Sequence, residues 1–169
     1  SAQSFFYELV IFDDTTLNKT FHLLREQLDT SYVDYNIPEI TSDDVVGGFR
    51  NGWGLFIINM NAEREQILIQ VPHPCDDFIA PYIALDLFFE TDAFGFMIAG
   101  AGREVAWTQI GDYSNSKSIS DPSRYPHTVF QKFQDAVTQP LIGVNPHWPL
   151  VFAIHSFDNQ THLERKPII

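Results

Sequence analysis

The chain has 169 residues, 44% of them apolar and 14% aromatic with fifteen Phe, enough for one domain that buries roughly two thirds of its unfolded surface. Ten Lys and Arg stand against twenty-two Asp and Glu, and the formal net charge of -12 repels polyanions, so nucleic acid is excluded as a partner. No stretch approaches the roughly 20 consecutive apolar residues that cross a bilayer, and no basic amphipathic segment suits a membrane surface.

Phe5 to Phe12 reads as a strand, and the short polar side chains of Asp13-Asp14-Thr15-Thr16 suit a helix N-cap. Leu17, Phe21, Leu24 and Leu28 then recur at helical spacing, which predicts an amphipathic helix from Thr16 to about Thr30. Residues 31 to 51, with Pro38, Gly47 and Gly48, read as a loop with a short extended piece. Leu55 to Met60 and Gln66 to Val71 are apolar strands joined by Asn61-Ala62-Glu63-Arg64-Glu65 in a hairpin-like arrangement. A helix is predicted from Asp76 to Glu90, with Asp76 at its start and Pro81 in its first turns.

Phe94 to Ala99 is the next strand, closed by Gly100-Ala101-Gly102, and Val105 to Ile110 is expected to pair beside it. Residues 111 to 124 read as a surface loop. Val129, Phe130, Phe133 and Val137 predict a helix over Tyr125 to Gln139. Leu150 to Ile154 is a continuous apolar run of the kind buried on both faces of a sheet. Strands alternating with helices predict a single α/β domain, with a mixed, mostly parallel sheet flanked by helices. Such sheets bind ligands at the carboxyl ends of their strands, where His73, Arg103 and His155 all fall.

Those positions carry the chemistry. His73 and Asp76 stand three apart just where a strand gives way to a helix, and His155 ends a distant strand. Two imidazoles and a carboxylate are a zinc ligand set that leaves a fourth position open for water, the mark of a catalytic zinc site. Asp77 is the alternative carboxylate, since Asp76 also suits a helix cap. Cys75 is left out as a small buried thiol. Arg103 supplies a fixed positive charge that would pair a substrate carboxylate or stabilise an oxyanion. His127, at the start of a helix, is a candidate substrate contact. There is no glycine-rich phosphate loop and no Gly-x-Ser-x-Gly elbow, which sets aside nucleotide and serine-hydrolase chemistry.

His73-x-x-Asp76, followed much later by an apolar strand ending in His155-Ser156-Phe157 and then by Arg165-Lys166-Pro167, resembles the zinc carboxypeptidase superfamily. The branch it is most similar to holds the N-formylglutamate amidohydrolases and related deacylases. The resemblance covers roughly residues 66 to 167. It implies zinc bound by His73, Asp76 and His155, a substrate-binding Arg103, and hydrolysis of an amide bond in a small-molecule or peptide substrate that carries a carboxylate. The superfamily places its glutamate base on a strand well beyond the last ligand, whereas this chain ends at Ile169. The expectation is therefore a fragment of a longer catalytic domain, a base elsewhere with Glu164 as its candidate, or a catalytically incomplete binding module. The first residues, Ser1-Ala2-Gln3-Ser4, fit a removed signal peptide or a trimmed tag, and a secreted or periplasmic location is the expectation.

Overall fold

A computed structural model of the chain describes residues 6–29, 48–49, 52–103, 107–108, 117–118, 120–139 and 149–156. Its first two strands, β1 (Tyr7–Asp14) and β2 (Lys19–Glu26), form an antiparallel hairpin in register from Tyr7 opposite Glu26 to Asp14 opposite Lys19. This overturns the helix predicted from Thr16 to Thr30. Asp14 does not cap a helix; its Oδ1 accepts from the backbone N–H of Thr16 at 2.8 Å and of Leu17 at 3.0 Å, closing the hairpin turn. The helical spacing of Leu17, Phe21 and Leu24 arises because the middle of β2 is apolar toward both faces. Phe21 and Leu23 pack on one cluster and Leu24 on another, so the two-residue alternation that marks a strand is masked.

The remaining elements are β3 (Leu28–Asp29), β4 (Gly48–Phe49), β5 (Leu55–Asn59), β6 (Arg64–Val71), α1 (Ala80–Glu90), β7 (Ala93–Ile98), β8 (Trp107–Thr108), β9 (Lys117–Ser118), α2 (Val129–Thr138) and β10 (Leu150–Ala153). Six strands make one sheet in the order β1-β2-β5-β7-β6-β10. The pairs β1/β2, β2/β5 and β5/β7 are antiparallel, while β7/β6 and β6/β10 are parallel. The fold is thus mixed α/β, and antiparallel pairs prevail where a mostly parallel sheet was expected, because the segment read as the first helix is a strand. The expected hairpin of β5 with β6 does not form either: β7 lies between them, delivered by the α1 crossover. Trp107 and Thr108 pair with Ser118 and Lys117 rather than with β7.

The two helices lie on opposite faces. Ala80, Ala84 and Phe88 of α1 pack on Phe21, Ile69, Val71 and Phe96, whereas Phe130 of α2 joins Tyr7, Phe56, Leu68 and Met97. Neighbouring residues of one strand, Leu68 and Ile69 or Phe96 and Met97, divide between these clusters, as period-two geometry demands. Small Ala side chains let α1 sit close on the sheet. Among the described residues β10 is the outermost strand on its side, and Leu150, Val151 and Phe152 are exposed, not buried as their apolar run predicts. No helix among the described residues is long and apolar enough to cross a membrane.

Candidate metal centre

Strands β6 and β10 run side by side in the same direction, with Ala153 opposite Gln70, and the Ile154 N–H continues the ladder to the Gln70 carbonyl at 2.9 Å. His73 follows β6 and His155 follows β10, so parallel pairing brings two histidines 82 positions apart in the chain to a ring-centroid distance of 5.0 Å. After His73 the chain turns sharply. The Asp76 and Asp77 N–H groups both donate to the His73 carbonyl, at 3.1 and 2.8 Å. The second bond closes one turn of helical geometry and sets the Asp77 side chain over the His73 ring, the usual consequence of a four-residue separation.

The acid that joins the histidines is therefore Asp77, where spacing favoured Asp76. His73, Asp77 and His155 offer ligand-capable atoms that all lie within 4.8 Å of one another, and the group could hold a metal ion. Asp77 Oδ2 lies 2.8 Å from His155 Nδ1 and 3.8 Å from His73 Nδ1. A tetrahedral zinc at its usual bond lengths holds neighbouring ligand atoms about 3.3 Å apart, between those two values. Asp76 turns the other way: its Oδ1 faces Arg103 Nε at 3.6 Å and its Oδ2 accepts the Arg103 N–H at 3.3 Å. It fastens the segment after β7 to the turn after β6. Asp76 does not cap α1 either; Ile79 stands at that helix boundary without a side-chain cap.

The tautomer of the His73 ring follows from its neighbours. Its Nε2 lies 2.9 Å from Asp121 Oδ1, and both side chains are buried. A carboxylate only accepts, so the hydrogen of the neutral ring sits on Nε2 and the Nδ1 lone pair points back to the group. That Nδ1 is buried and has no hydrogen-bond partner among the described residues. A buried acceptor left bare beside a carboxylate costs free energy unless a cation or a proton stands between them. Ligating histidines commonly donate their second N–H to a carboxylate in this way, which fixes the tautomer and raises ligand basicity. The donor set fits a divalent cation on its own chemistry.

Asp121 is held in turn. Its Oδ1 accepts the Ser123 N–H at 2.9 Å, and Arg124 Nε approaches its Oδ2 at 3.5 Å. Asp77 is pinned from the strand side, its Oδ1 accepting the Ser156 hydroxyl at 2.8 Å. Burial pushes the Asp77 carboxyl up, but hydrogen bonds from Ser156 and His155 outweigh it and hold the group below the ordinary carboxylate value. The arrangement keeps a negative charge between two imidazoles, ready for a cation. A serine-nucleophile reading does not hold: Ser123 Oγ lies 3.2 Å from His73 Nε2, but that nitrogen gives its hydrogen to Asp121 and cannot accept another.

Comparison with known proteins brings in no relative. No protein-family model, curated protein or solved structure matches the chain. What the site can do is read from its own residues.

Of the other expected positions, Arg103 stands beside the site through Asp76. His127 is exposed, its ring edge-on to Tyr125 at 5.4 Å, and it is not part of the metal-binding group. Glu164 lies outside the described residues. Sequence reading missed Asp121, Ser123, Arg124 and Ser156. Ser156 had a signal, its place directly after a candidate ligand. The loop Asp121-Pro122-Ser123-Arg124 carried only turn chemistry, so nothing in its spacing tied it to His73.

Proposed function

We propose that this chain carries the zinc site of a hydrolase that cleaves amide bonds in N-acyl amino acids or peptides bearing a carboxylate. The observation that carries this reading is the bare, buried Nδ1 of His73, its tautomer set by Asp121 and its lone pair turned to Asp77 and His155. Bound zinc supplies Lewis acidity, lowering the pKa of water toward neutrality and polarising a carbonyl. His73, Asp77 and His155 hold the ion, Asp121 orients His73, and Ser156 orients Asp77. Among the described residues three side chains close on the ion, which leaves a position for water in a four-coordinate site. Arg103 and Arg124, joined to the group through Asp76 and Asp121, offer guanidinium groups that remain substantially exposed and can receive a substrate carboxylate. His127, three positions after Arg124, serves as a further substrate contact. The resemblance to zinc carboxypeptidases and N-formylglutamate amidohydrolases supports this reading through His73 and His155 only, since its third motif position, Asp76, faces Arg103 and not the histidines; a carboxypeptidase-like sheet rests on those two residues alone.

A metal-binding module without a catalytic base is the second reading. One observation favours it: among the described residues the carboxylates around the site, Asp76, Asp77 and Asp121, each already hold a protein partner, so none of them is free to act as a base. Glu164 is the candidate that would restore catalysis. The experiment is elemental analysis and zinc titration of the purified protein, with hydrolysis of N-formyl- and N-acetylglutamate followed alongside. One zinc per chain, lost in His155→Ala and Asp77→Ala, is expected, together with zinc-dependent release of glutamate. Zinc bound without turnover selects the module, and absence of stoichiometric binding rejects both readings.

A further inference from the structure

Three strands away from β10 the same end of the sheet opens into a cavity of about 300 Å³ lined by Arg25, Glu26, Gly52, Gly54, Leu55, Ile98, Ala99 and Gly100. Register explains its position. Arg25 stands opposite Leu55, Leu55 opposite Ile98, and Ile98 opposite Val71, so one cross-strand row runs over β2, β5, β7 and β6 on a single face of the sheet. Val71 precedes the ligand His73 by two residues. With strands spaced about 4.8 Å apart, Leu55 lies two steps from Val71, roughly 10 Å along the row.

Three glycines line the cavity, and two of them, Gly54 and Gly100, shape its wall. The backbones of β7's exit and of the segment entering β5 approach so closely that a Cβ on Gly54 would collide with the Ile98 carbonyl oxygen, and one on Gly100 would lie 2.6 Å from the Gly54 nitrogen. Gly54 has φ +104, which side chains other than hydrogen rarely adopt. The close approach leaves bare backbone, Leu55 and Ile98 facing the space. Both charged lining residues are already engaged within the fold: Arg25 Nε donates to Glu8 Oε1 at 2.7 Å, and Glu26 Oε2 accepts the Trp53 N–H at 3.1 Å. Beyond these two side chains the lining is Leu55, Ile98, Ala99 and glycine backbone, which suits an apolar group. An apolar cavity of roughly 150 Å³ suffices for benzene, so this one has room for a ring or a six-carbon chain.

We infer that this cavity is the binding site for an uncharged apolar group, aromatic or aliphatic, borne by a substrate whose reacting bond lies at the metal centre, farther along the same end of the sheet. The assignment of the occupant as part of a substrate rests on the hydrolase reading; the cavity's preference for an apolar group does not. Together they narrow the substrate class to amides that combine a carboxylate, read near Arg103 and Arg124, with an apolar acyl or side-chain group.

Two measurements test it separately. Benzyl alcohol titrated into the metal-free full chain, followed by amide chemical shifts, is expected to saturate with changes centred on Leu55, Ile98 and Gly100. Leu55→Trp fills the space and should weaken that binding at least tenfold, with Ile98→Trp as the second variant should the first fail to fold. In the zinc-loaded protein, kcat/KM for N-(4-phenylbutanoyl)glutamate should exceed that for N-acetylglutamate ten- to a hundredfold, and the filling variants should bring the ratio close to one. Benzyl alcohol shifts that are absent, or that centre elsewhere, overturn the cavity assignment. Saturable binding here with equal kcat/KM for the two amides overturns its role in substrate selection, and turnover of neither amide counts against the hydrolase reading while the alcohol titration still judges the cavity.

Discussion

His73 is the residue on which the site turns, because its two ring nitrogens have separate tasks. Nε2 is bound to Asp121, and Nδ1 is left for the ion. Replacing Asp121 by Asn keeps the shape but removes the obligatory acceptor, so the ring loses the bias that places its hydrogen on Nε2. Asp121→Asn is expected to weaken zinc binding about 10–100-fold, the usual cost of losing such a partner, with the fold retained by circular dichroism. The two neighbouring acids separate cleanly in the same titration. Asp77→Asn should reduce affinity far more than Asp76→Asn, since Asp76 faces Arg103 and not the histidines. Equal effects would mean that the ion is held elsewhere. The strand-end histidines and the need for an acid within one turn were legible in the residues. Which of two adjacent acids turns inward was not, because it depends on the hydrogen bond from the Asp77 N–H to the His73 carbonyl.

At the scale of elements, the opposite end of the sheet shows how the hairpin is tied to the crossover. Asp92, between α1 and β7, has φ 49, and its carboxylate accepts from Lys19 Nζ at 2.6 Å, Asn59 Nδ2 at 2.7 Å and the Glu63 N–H at 3.1 Å. One side chain thereby joins β2, β5 and the start of β6. Burial raises its pKa, and the bonds to Lys19, the Glu63 N–H and Asn59 more than reverse this, so the folded value lies below the ordinary 3.8. A depressed carboxylate contributes stability that is fully present above the unfolded value and is lost as pH falls through the folded one. Asp92→Asn, which tolerates the left-handed backbone, should cost about 1–3 kcal/mol at pH 7. The difference from the parent should shrink as pH drops below 3.8. Urea unfolding at pH 7 and pH 3 measures both, and a pH-independent difference would show that the charge is not what matters. None of this was visible in the sequence, where Lys19 and Asn59 sat in a segment read as a helix and a strand of another hairpin.

Over the whole molecule, the metal centre joins segments that are far apart in the chain: the turn after β6, the loop around Asp121 and the end of β10. Ordering all three around one ion should stabilise the native state by mass action. Free zinc at a hundred times its dissociation constant is worth about 2.7 kcal/mol, so thermal unfolding should rise by several degrees with zinc and return on chelation. No shift in the parent, or the same shift in His155→Ala, would count against the site.

Composition and charge alone determined that the chain has residues enough for an apolar core and carries a formal net charge of -12, because both follow from sums over residues that no arrangement changes. The strand ends that carry His73 and His155 were also readable, since a short apolar run closed by a polar residue has few other uses. Tertiary structure decided the rest. A sheet covered on both faces erases the two-residue alternation that would have revealed β2, strand order placed β7 between β5 and β6, the pairing of β10 with β6 brought His155 to His73, and the packing of the loop after β9 brought Asp121 there. Those are properties of contacts between distant segments, which local spacing does not encode.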